Sequence, residues 1–398
     1  MDITIHPKKL NGVAYAIPSK SQAHRLLICA AFADAPTELI CPDTNRDIEA
    51  TADCLNALGA DIRRTEMGYT VTPIHAIPES ALLPCCESGS TLRFLLPIVG
   101  ALGVDGTFLM EGRLPKRPLS PLWEEMERMG CHLSRPTENT LRCHGKLHSG
   151  TYTISGDVSS QFITGLLFAT SLLKGDSCIE ITGKLESKPY VDMTLQAMET
   201  FDIKVNDFSV AGGQKYHSPG TLTVEGDWSN AAFFIAATIL QSRLMILNLN
   251  FDSAQGDKAV FDLLFDLENN ITISAGDIPD LVPILSVAAA ASQGAVFTDI
   301  SRLRLKESDR VASVIAMIKA LGGKADATEN TLTIYPSTFT GGIVDAMGDH
   351  RIAMSAAIAA TVCSGDVTIL GAECVSKSYP KFWEEYSRLG GIYEQYLR

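Results

Sequence analysis

Acidic side chains outnumber basic ones in this chain by 46 to 33, so the places where cations cluster are informative. Lys20 with Arg25, Lys116 with Arg117, the run Arg302, Arg304, Lys306 and Arg310, and the group His350, Arg351 and Lys377 are such places. Most adjoin the start of an apolar helical stretch or the end of a strand, where a purely solubilising charge has no reason to sit. Converging guanidinium and ammonium groups suit phosphate and carboxylate ligands. Two carboxyls stand among these cations: Asp280, opening the Ala-rich helix after Ile278-Pro279, and Glu307, within Lys306-Glu307-Ser308-Asp309-Arg310. Either could move a proton, its pKa lowered by the cations and raised by burial, or could serve only as an ion-pair partner.

Other chemistries lack their signatures. There is no Gly-x-x-x-x-Gly-Lys-Ser/Thr loop, no Gly-x-Gly-x-x-Gly after a strand and no Gly-x-Ser-x-Gly elbow, which leaves NTPase, dinucleotide and hydrolase readings without support. Cys131-His132 with Cys143-His144 and His148 looks like a metal set, but its members are expected on the two strands and the exit of one hairpin. Vicinal Cys85-Cys86 reads as an inert thiol pair before a helix start.

The elements that must position these groups repeat. An amphipathic helix ending in Leu-Gly or Met-Gly is followed by a polar strand, a turn and a second strand, at Gly59, Gly130, Gly322 and Gly390. Weaker relatives lie at Val191 to Phe201 and Val260 to Leu267, making six units. Each unit also holds a helix apolar nearly all round with a polar first turn: Ser19-Lys20-Ser21, Ser88-Gly89-Ser90, Ser159-Ser160-Gln161, Asp227-Trp228-Ser229-Asn230, Asp277-Ile278-Pro279-Asp280 and Asp349-His350-Arg351. Ser and Asp are ordinary N-caps. Buried helix starts also carry free N–H groups and partial positive charge, so several opening together, with Lys20, Arg25, Arg93 and Arg351 in or beside their first turns, would bind anions.

At 398 residues with 46% hydrophobic and 20% charged side chains, the chain is expected to fold into two or three domains with proper cores. A net charge of −13 argues against a nucleic-acid backbone as partner and favours a small substrate. The N-terminal residues show no export pattern and no apolar run is long enough for a membrane span, so the expected location is the cytoplasm. Ten cysteines without framework spacing, among them Cys29, Cys54 and Cys363 in apolar runs, read as reduced core residues.

Taken together these strings resemble the 5-enolpyruvylshikimate-3-phosphate synthases, or 3-phosphoshikimate 1-carboxyvinyltransferases, within the enolpyruvyl transferase family. Nine pieces stand in family order: Pro18-Ser19-Lys20-Ser21 with Arg25, Ser88 to Arg93, Lys116-Arg117-Pro118, Ser159-Ser160-Gln161, Ser187-Lys188-Pro189-Tyr190, Ile278-Pro279-Asp280, Lys306 to Arg310, Asp349-His350-Arg351 and Ser376-Lys377-Ser378-Tyr379-Pro380. The resemblance implies an α/β fold, a two-domain inside-out α/β barrel of six β-α-β-α-β-β units, three per domain. One domain would be discontinuous, residues 1–18 with 226–398, and the other would span 19–225, with the active site in the cleft between them. The implied reaction transfers the enolpyruvyl group of phosphoenolpyruvate to the 5-hydroxyl of shikimate 3-phosphate and releases phosphate, on the route to chorismate and the aromatic amino acids. The implied partners are these two small molecules, without metal, organic cofactor, nucleic acid or membrane, acting on a monomer.

Roles carry over residue by residue from the matching motifs. Lys20, Ser21, Arg25, Ser159, Ser160, Gln161, Ser187, Tyr190, Asp280 and Lys306 would hold shikimate 3-phosphate. Lys20, Gly89, Arg93, Arg117, Gln161, Arg310, Arg351 and Lys377 would hold phosphoenolpyruvate, with its herbicide mimic glyphosate close to Gly89. Asp280 would take the hydroxyl proton and Glu307 would serve the methylene carbon, with Lys20 and Lys377 stabilising charge or assisting the leaving phosphate. The chain departs from the family at three points: no Gly between Pro18 and Ser19, Glu87 where Asn is common, and Arg302 where an Asn often contacts the shikimate side. It is also shorter around Asp252 to Asp277, which reads as trimmed surface loops rather than a lost domain. The related UDP-N-acetylglucosamine enolpyruvyl transferases carry a loop cysteine that Gly112 to Pro118 lacks. RNA 3′-phosphate cyclases, which share the repeat, are disfavoured by the net charge, and a non-catalytic anion-binding relative by the intact set of charged residues.

Overall fold

The structure, a computed structural model, describes residues 1–396. The chain divides into two compact units, Met1–Ile17 with Gly226–Arg398, and Pro18–Glu225.

In the unit Pro18–Glu225, helices α1 (Lys20–Ala31), α3 (Gly89–Leu102) and α5 (Ser160–Ser171) are the apolar ones and lie inside. Helices α2 (Arg46–Ala57), α4 (Leu122–Arg128) and α6 (Lys188–Thr200) are amphipathic. Each pair belongs to a four-stranded sheet. In the middle one, Ser80–Cys86 runs parallel to Asp105–Met110, which pairs antiparallel with Thr140–Gly145, which in turn pairs with Cys131–Ser134. Strand alternation there buries Cys131 and Leu133 and exposes His132 and Ser134. The same alternation buries Cys143 and exposes His144, so the thiols and imidazoles of the apparent metal set face opposite ways.

The other unit repeats this pattern with α7 (Trp228–Ile239), α9 (Val282–Ala290) and α11 (His350–Ala360) packed against one another in the core. Every residue of α9 and α11 is buried, and their many alanines let the helices approach closely. The outer helices are α8 (Val260–Asp266), α10 (Arg310–Ala320) and α12 (Phe382–Arg388). The last sheet is completed by the chain's first strand, Asp2–His6, which lies between Val367–Leu370 and Ile392–Tyr396.

The Leu-Gly and Met-Gly endings are explained by backbone geometry. Gly59 follows α2 at φ +106° and a Cβ there would lie 2.6 Å from the Ala76 carbonyl oxygen, so only glycine turns the chain into the next strand.

One of the six units differs from expectation. Five sheets have four strands, but the fourth unit has two, Asn11–Tyr15 parallel to Arg243–Leu247. Among the described residues its antiparallel pair is absent, and α8 leads through Leu267 to Asn270 directly into the strand Ile271–Ser274 of the next sheet. Where the chain is short, around Asp252 to Asp277, the unit thus lacks the hairpin that the other five carry, a larger difference than trimmed surface loops but not a lost domain. Met245, Phe251, Phe261 and Phe265 in this unit are exposed.

Candidate functional site

Five of the six polar helix starts are ordinary side-chain caps. Ser19, Ser88, Ser159, Asp227 and Asp349 each accept a hydrogen bond from a backbone N–H two or three residues on. Their work is local, and it sets the direction of the residues that follow. The sixth start departs from expectation, because α9 begins at Val282 with Leu281 as its cap. Asp280 precedes the cap, and its carboxylate is turned to two arginines instead of to the helix.

In the unit Pro18–Glu225 three groups form. Lys20 opens α1 and donates to Asp47 Oδ2 at 2.9 Å, with both side chains largely buried. Arg25, one turn on, is 2% exposed and donates from each of its three nitrogens. It donates to Thr194 Oγ1 at 2.8 Å, to the Ser21 carbonyl at 2.5 Å and to the Tyr190 carbonyl at 2.7 Å, and its guanidinium lies 5.0 Å from the Phe94 ring centroid. Burial pushes its pKa down to about 10, so it remains a cation at neutral pH. Tyr190 N–H donates to the Ser187 carbonyl at 3.1 Å, and Ser187 precedes α6 at φ +54°. The structure thus gathers Ser21, Arg25, Ser187 and Tyr190.

The third group surrounds the start of α3. A Cβ on Gly89 would lie 2.6 Å from Arg117 Nη1 and 2.8 Å from Arg93 Nη1, so the bare glycine leaves room for two guanidiniums. Arg93 donates to Gln161 Oε1 at 3.0 Å and to the Pro118 carbonyl at 3.2 Å, and Gln161 Nε2 donates to Ser90 Oγ at 2.9 Å. Ser159 and Ser160 sit at the start of α5 beside Gln161. Lys116 is exposed. Behind this group runs a buried hydrogen-bonded chain, His24 Nδ1 to Thr51 Oγ1 at 2.6 Å, Thr51 to Thr91 Oγ1 at 2.7 Å and Thr91 to Ser88 Oγ at 2.7 Å, which ties α1 and α2 to the α3 cap. Burial pushes the His24 pKa down to about 3 and keeps the ring neutral.

In the other unit the charges are denser. Arg310, 1% exposed, donates through Nε to Asp349 Oδ2 at 2.9 Å, through Nη1 to Asp280 Oδ1 at 2.5 Å and through Nη2 to Glu307 Oε2 at 2.6 Å. Arg351 Nη2 donates to the second oxygen of Asp280 at 2.9 Å. Burial alone would raise the Asp280 carboxyl, but Arg351, Arg310 and Lys306 outweigh it and hold its pKa well below the carboxylate range. Burial pushes the Lys306 ammonium down to about 7, with Arg302 and Arg310 adding to the effect and Asp280 and Glu307 opposing it. Lys377 ends the 3-10 segment Ala372–Lys377, which packs against α11. Arg302 is buried near Lys306. Arg304 makes a part-exposed ion pair with Asp309 at 3.6 Å, the bland outcome for a cation in a cluster.

Several partners escape a reading of the sequence. Asp47 holds Lys20 from 27 residues away. Asp349 caps α11 and anchors Arg310 and Ser308 together. Asp257, buried and bonded to Ser229, faces Asp280 and Arg351, and its carboxyl is pushed up to about 6 by burial and the Asp280 charge. Asp47 and Asp257 stand in no motif that announces their roles, and Asp349 reads from its motif only as a cap; each acquires its charged partner by packing.

Among the described residues no group of three or more His, Cys, Asp and Glu could hold a metal ion, all ten cysteines are free, and no helix is long and apolar enough to cross a membrane. The family model of EPSP synthase (3-phosphoshikimate 1-carboxyvinyltransferase) matches residues 5–277 and 271–386. The 3-phosphoshikimate 1-carboxyvinyltransferase of Clostridium beijerinckii is 38% identical, over 99% of this chain and 99% of its own. That of Clostridium kluyveri is 37% identical over 99% and 98%. Among solved structures, the EPSP synthase of Acinetobacter baumannii superposes with a TM-score of 0.80 at 22% identity, covering both chains completely. The enolpyruvyl transferase NikO of Streptomyces tendae gives 0.79 at 18% identity, over 99% and 98%. These two show the fold.

Proposed function

Starting from the fact that this chain belongs to the EPSP synthase (3-phosphoshikimate 1-carboxyvinyltransferase) family, we propose how its residues divide the work. The reaction transfers the 1-carboxyvinyl group of phosphoenolpyruvate to the 5-hydroxyl of shikimate 3-phosphate and releases phosphate, a step of aromatic amino-acid biosynthesis. Two polyanions must come within bonding distance against their mutual repulsion, so cations have to be placed in advance.

The unit Pro18–Glu225 is assigned most of the shikimate 3-phosphate contacts, through Ser21, Arg25, Ser159, Ser160, Gln161, Ser187 and Tyr190. Lys306 and Asp280 of the other unit complete them, with Lys20 reaching both substrates. Phosphoenolpyruvate is assigned to Gly89, Arg93, Arg117 and Gln161 from one unit and to Arg310, Arg351 and Lys377 from the other. Arg25 supports its assignment, since a permanently charged group is held rigid by three hydrogen bonds. Lys20 is positioned by Asp47 as an ammonium, suited to stabilising charge on the leaving phosphate.

Chemistry follows from Asp280 and Glu307. The 5-hydroxyl oxygen attacks C2 of phosphoenolpyruvate while its proton passes to Asp280, and the C2–C3 π pair takes a proton at C3 from Glu307. In the tetrahedral intermediate the C2–O bond to phosphate then breaks, Glu307 takes back a proton from C3, the C–H pair forms the new C2–C3 double bond, and the proton on Asp280 passes to the departing phosphate. The protein works as a cytoplasmic monomer, a location with which its ten free cysteines agree.

The observation that carries this reading is the arrangement of the part-buried Asp280 and Glu307 around the buried Arg310, with Arg351 on the second oxygen of Asp280. The test is phosphate release from phosphoenolpyruvate by the purified protein, expected only when shikimate 3-phosphate is present. Release without that dependence, or no release, defeats the assignment; light scattering checks the monomer.

A further inference from the structure

We propose that phosphoenolpyruvate itself turns Asp280 into a base, by drawing Arg310 and Arg351 off its carboxylate. The inference rests on the assignment of those two arginines to phosphoenolpyruvate. Both oxygens of Asp280 are occupied, Oδ1 by Arg310 Nη1 at 2.5 Å and Oδ2 by Arg351 Nη2 at 2.9 Å. The charged groups facing it are Arg351, Arg310, Lys306, Glu307 and Asp257. A carboxylate bonded to two guanidiniums, with the Lys306 charge nearby, is a poor proton acceptor, because these cations hold its pKa well below the usual carboxylate range.

The incoming anion competes for the same donors. Arg310 is anchored through Nε by the fully buried Asp349 and through Nη2 by Glu307, so Nη1 is the edge it shares with Asp280. As the phosphate and carboxylate of phosphoenolpyruvate claim the guanidiniums, Asp280 loses its stabilising cations and its proton affinity rises. That happens only when the acceptor carbon has arrived. The hydroxyl O–H bond then breaks, its proton goes to Asp280, the oxygen pair it leaves forms the bond to C2, and the C2–C3 π pair takes a proton at C3 from Glu307. Base and electrophile therefore become available together.

Calorimetry tests this with phospholactate, which carries the carboxylate and phosphate of phosphoenolpyruvate without its double bond, titrated into the shikimate 3-phosphate complex. Asp280→Asn is expected to bind phospholactate about tenfold more tightly than wild type, since the amide no longer competes as an anion for the guanidiniums, a change of about 1.4 kcal/mol. Asp280→Ser, which removes the same charge in a smaller side chain, is expected to do likewise. In buffers of different ionisation enthalpy, wild type at pH 6 is expected to take up more protons on binding than either variant. Equal or weaker binding by both variants overturns the proposal, and so does identical proton uptake. Wild type that binds shikimate 3-phosphate but not phospholactate also overturns it. Failure to bind either molecule, with no shikimate 3-phosphate-dependent phosphate release, is instead failure of the functional reading.

Discussion

Substituting Gly89 by alanine adds one carbon at the tightest point beside two arginines. The new Cβ would stand 2.6 Å from Arg117 Nη1 and 3.2 Å from its Cζ, about 0.8 Å short of ordinary contact for the nearer atom. Gly89 is the first residue of α3 and its φ is not positive, so alanine fits the backbone. Since the obstructing atoms are ends of flexible side chains, the fold is expected to survive with little loss. The Arg117 guanidinium, however, has to move by that same distance, enough to break a charge-assisted hydrogen bond to an anion. Such a bond contributes roughly 1.5–3 kcal/mol, which at 1.4 kcal/mol per factor of ten raises KM for phosphoenolpyruvate roughly 10- to 100-fold. Of the groups assigned to shikimate 3-phosphate, Ser21, Arg25, Ser187 and Tyr190 lie in a separate cluster and only Gln161 with its neighbours Ser159 and Ser160 lies beside Gly89, so KM for shikimate 3-phosphate is expected to rise less than that for phosphoenolpyruvate. Initial rates of phosphate release, with each substrate varied at saturating levels of the other, separate the two. An unchanged KM for phosphoenolpyruvate, or an equal rise in both, would refute the argument from the Gly89 contact.

Three further outcomes are expected. Glu307→Ala leaves Arg310 anchored by Asp349 and Asp280, so shikimate 3-phosphate binding by calorimetry is retained while kcat falls roughly 10²- to 10⁴-fold, the range for removing a general acid; an unchanged rate removes Glu307 from the mechanism. His24 is neutral in the fold and charged when unfolded below pH 6.5, its native pKa being about 3. Its contribution is therefore present above pH 6.5 and lost as pH falls toward 3, on the order of 5 kcal/mol across that window; denaturant titrations from pH 7 to 4 should show a shallower decline in His24→Asn, and parallel curves would count against it. Lys306, with a pKa pushed down to about 7, is an ammonium below that pH and neutral above it. Shikimate 3-phosphate affinity is expected to weaken as pH rises through 7 in wild type but not in Lys306→Arg, measured by calorimetry from pH 6 to 9.

The lost hairpin shows one limit of a linear reading. A shorter chain around Asp252 to Asp277 can mean trimmed loops or missing strands, because both remove polar residues, and only the pairing of Arg243–Leu247 with Asn11–Tyr15 alone distinguishes them. Asp280 shows another. Its position after Ile278-Pro279 suggested the first turn of a helix, where an aspartate would cap; the helix begins two residues later, and the carboxylate turns to Arg310 and Arg351.

What the sequence determined by itself is what depends on local periodicity and residue type. Apolar runs such as Val282 to Ala290 had to be buried, the Leu-Gly endings had to turn, and Ser19, Ser88, Ser159, Asp227 and Asp349 were suited to cap whichever helix followed. Tertiary structure alone decided the partners: Asp47 on Lys20, Thr194 on Arg25, Gln161 on Arg93, and Asp349 with Asp280 on Arg310. The physical reason is that a charge's pKa and direction depend on what lies within a few ångströms of it in space. These neighbours come from residues 27 to 169 positions away in the chain, a separation across which no spacing rule operates.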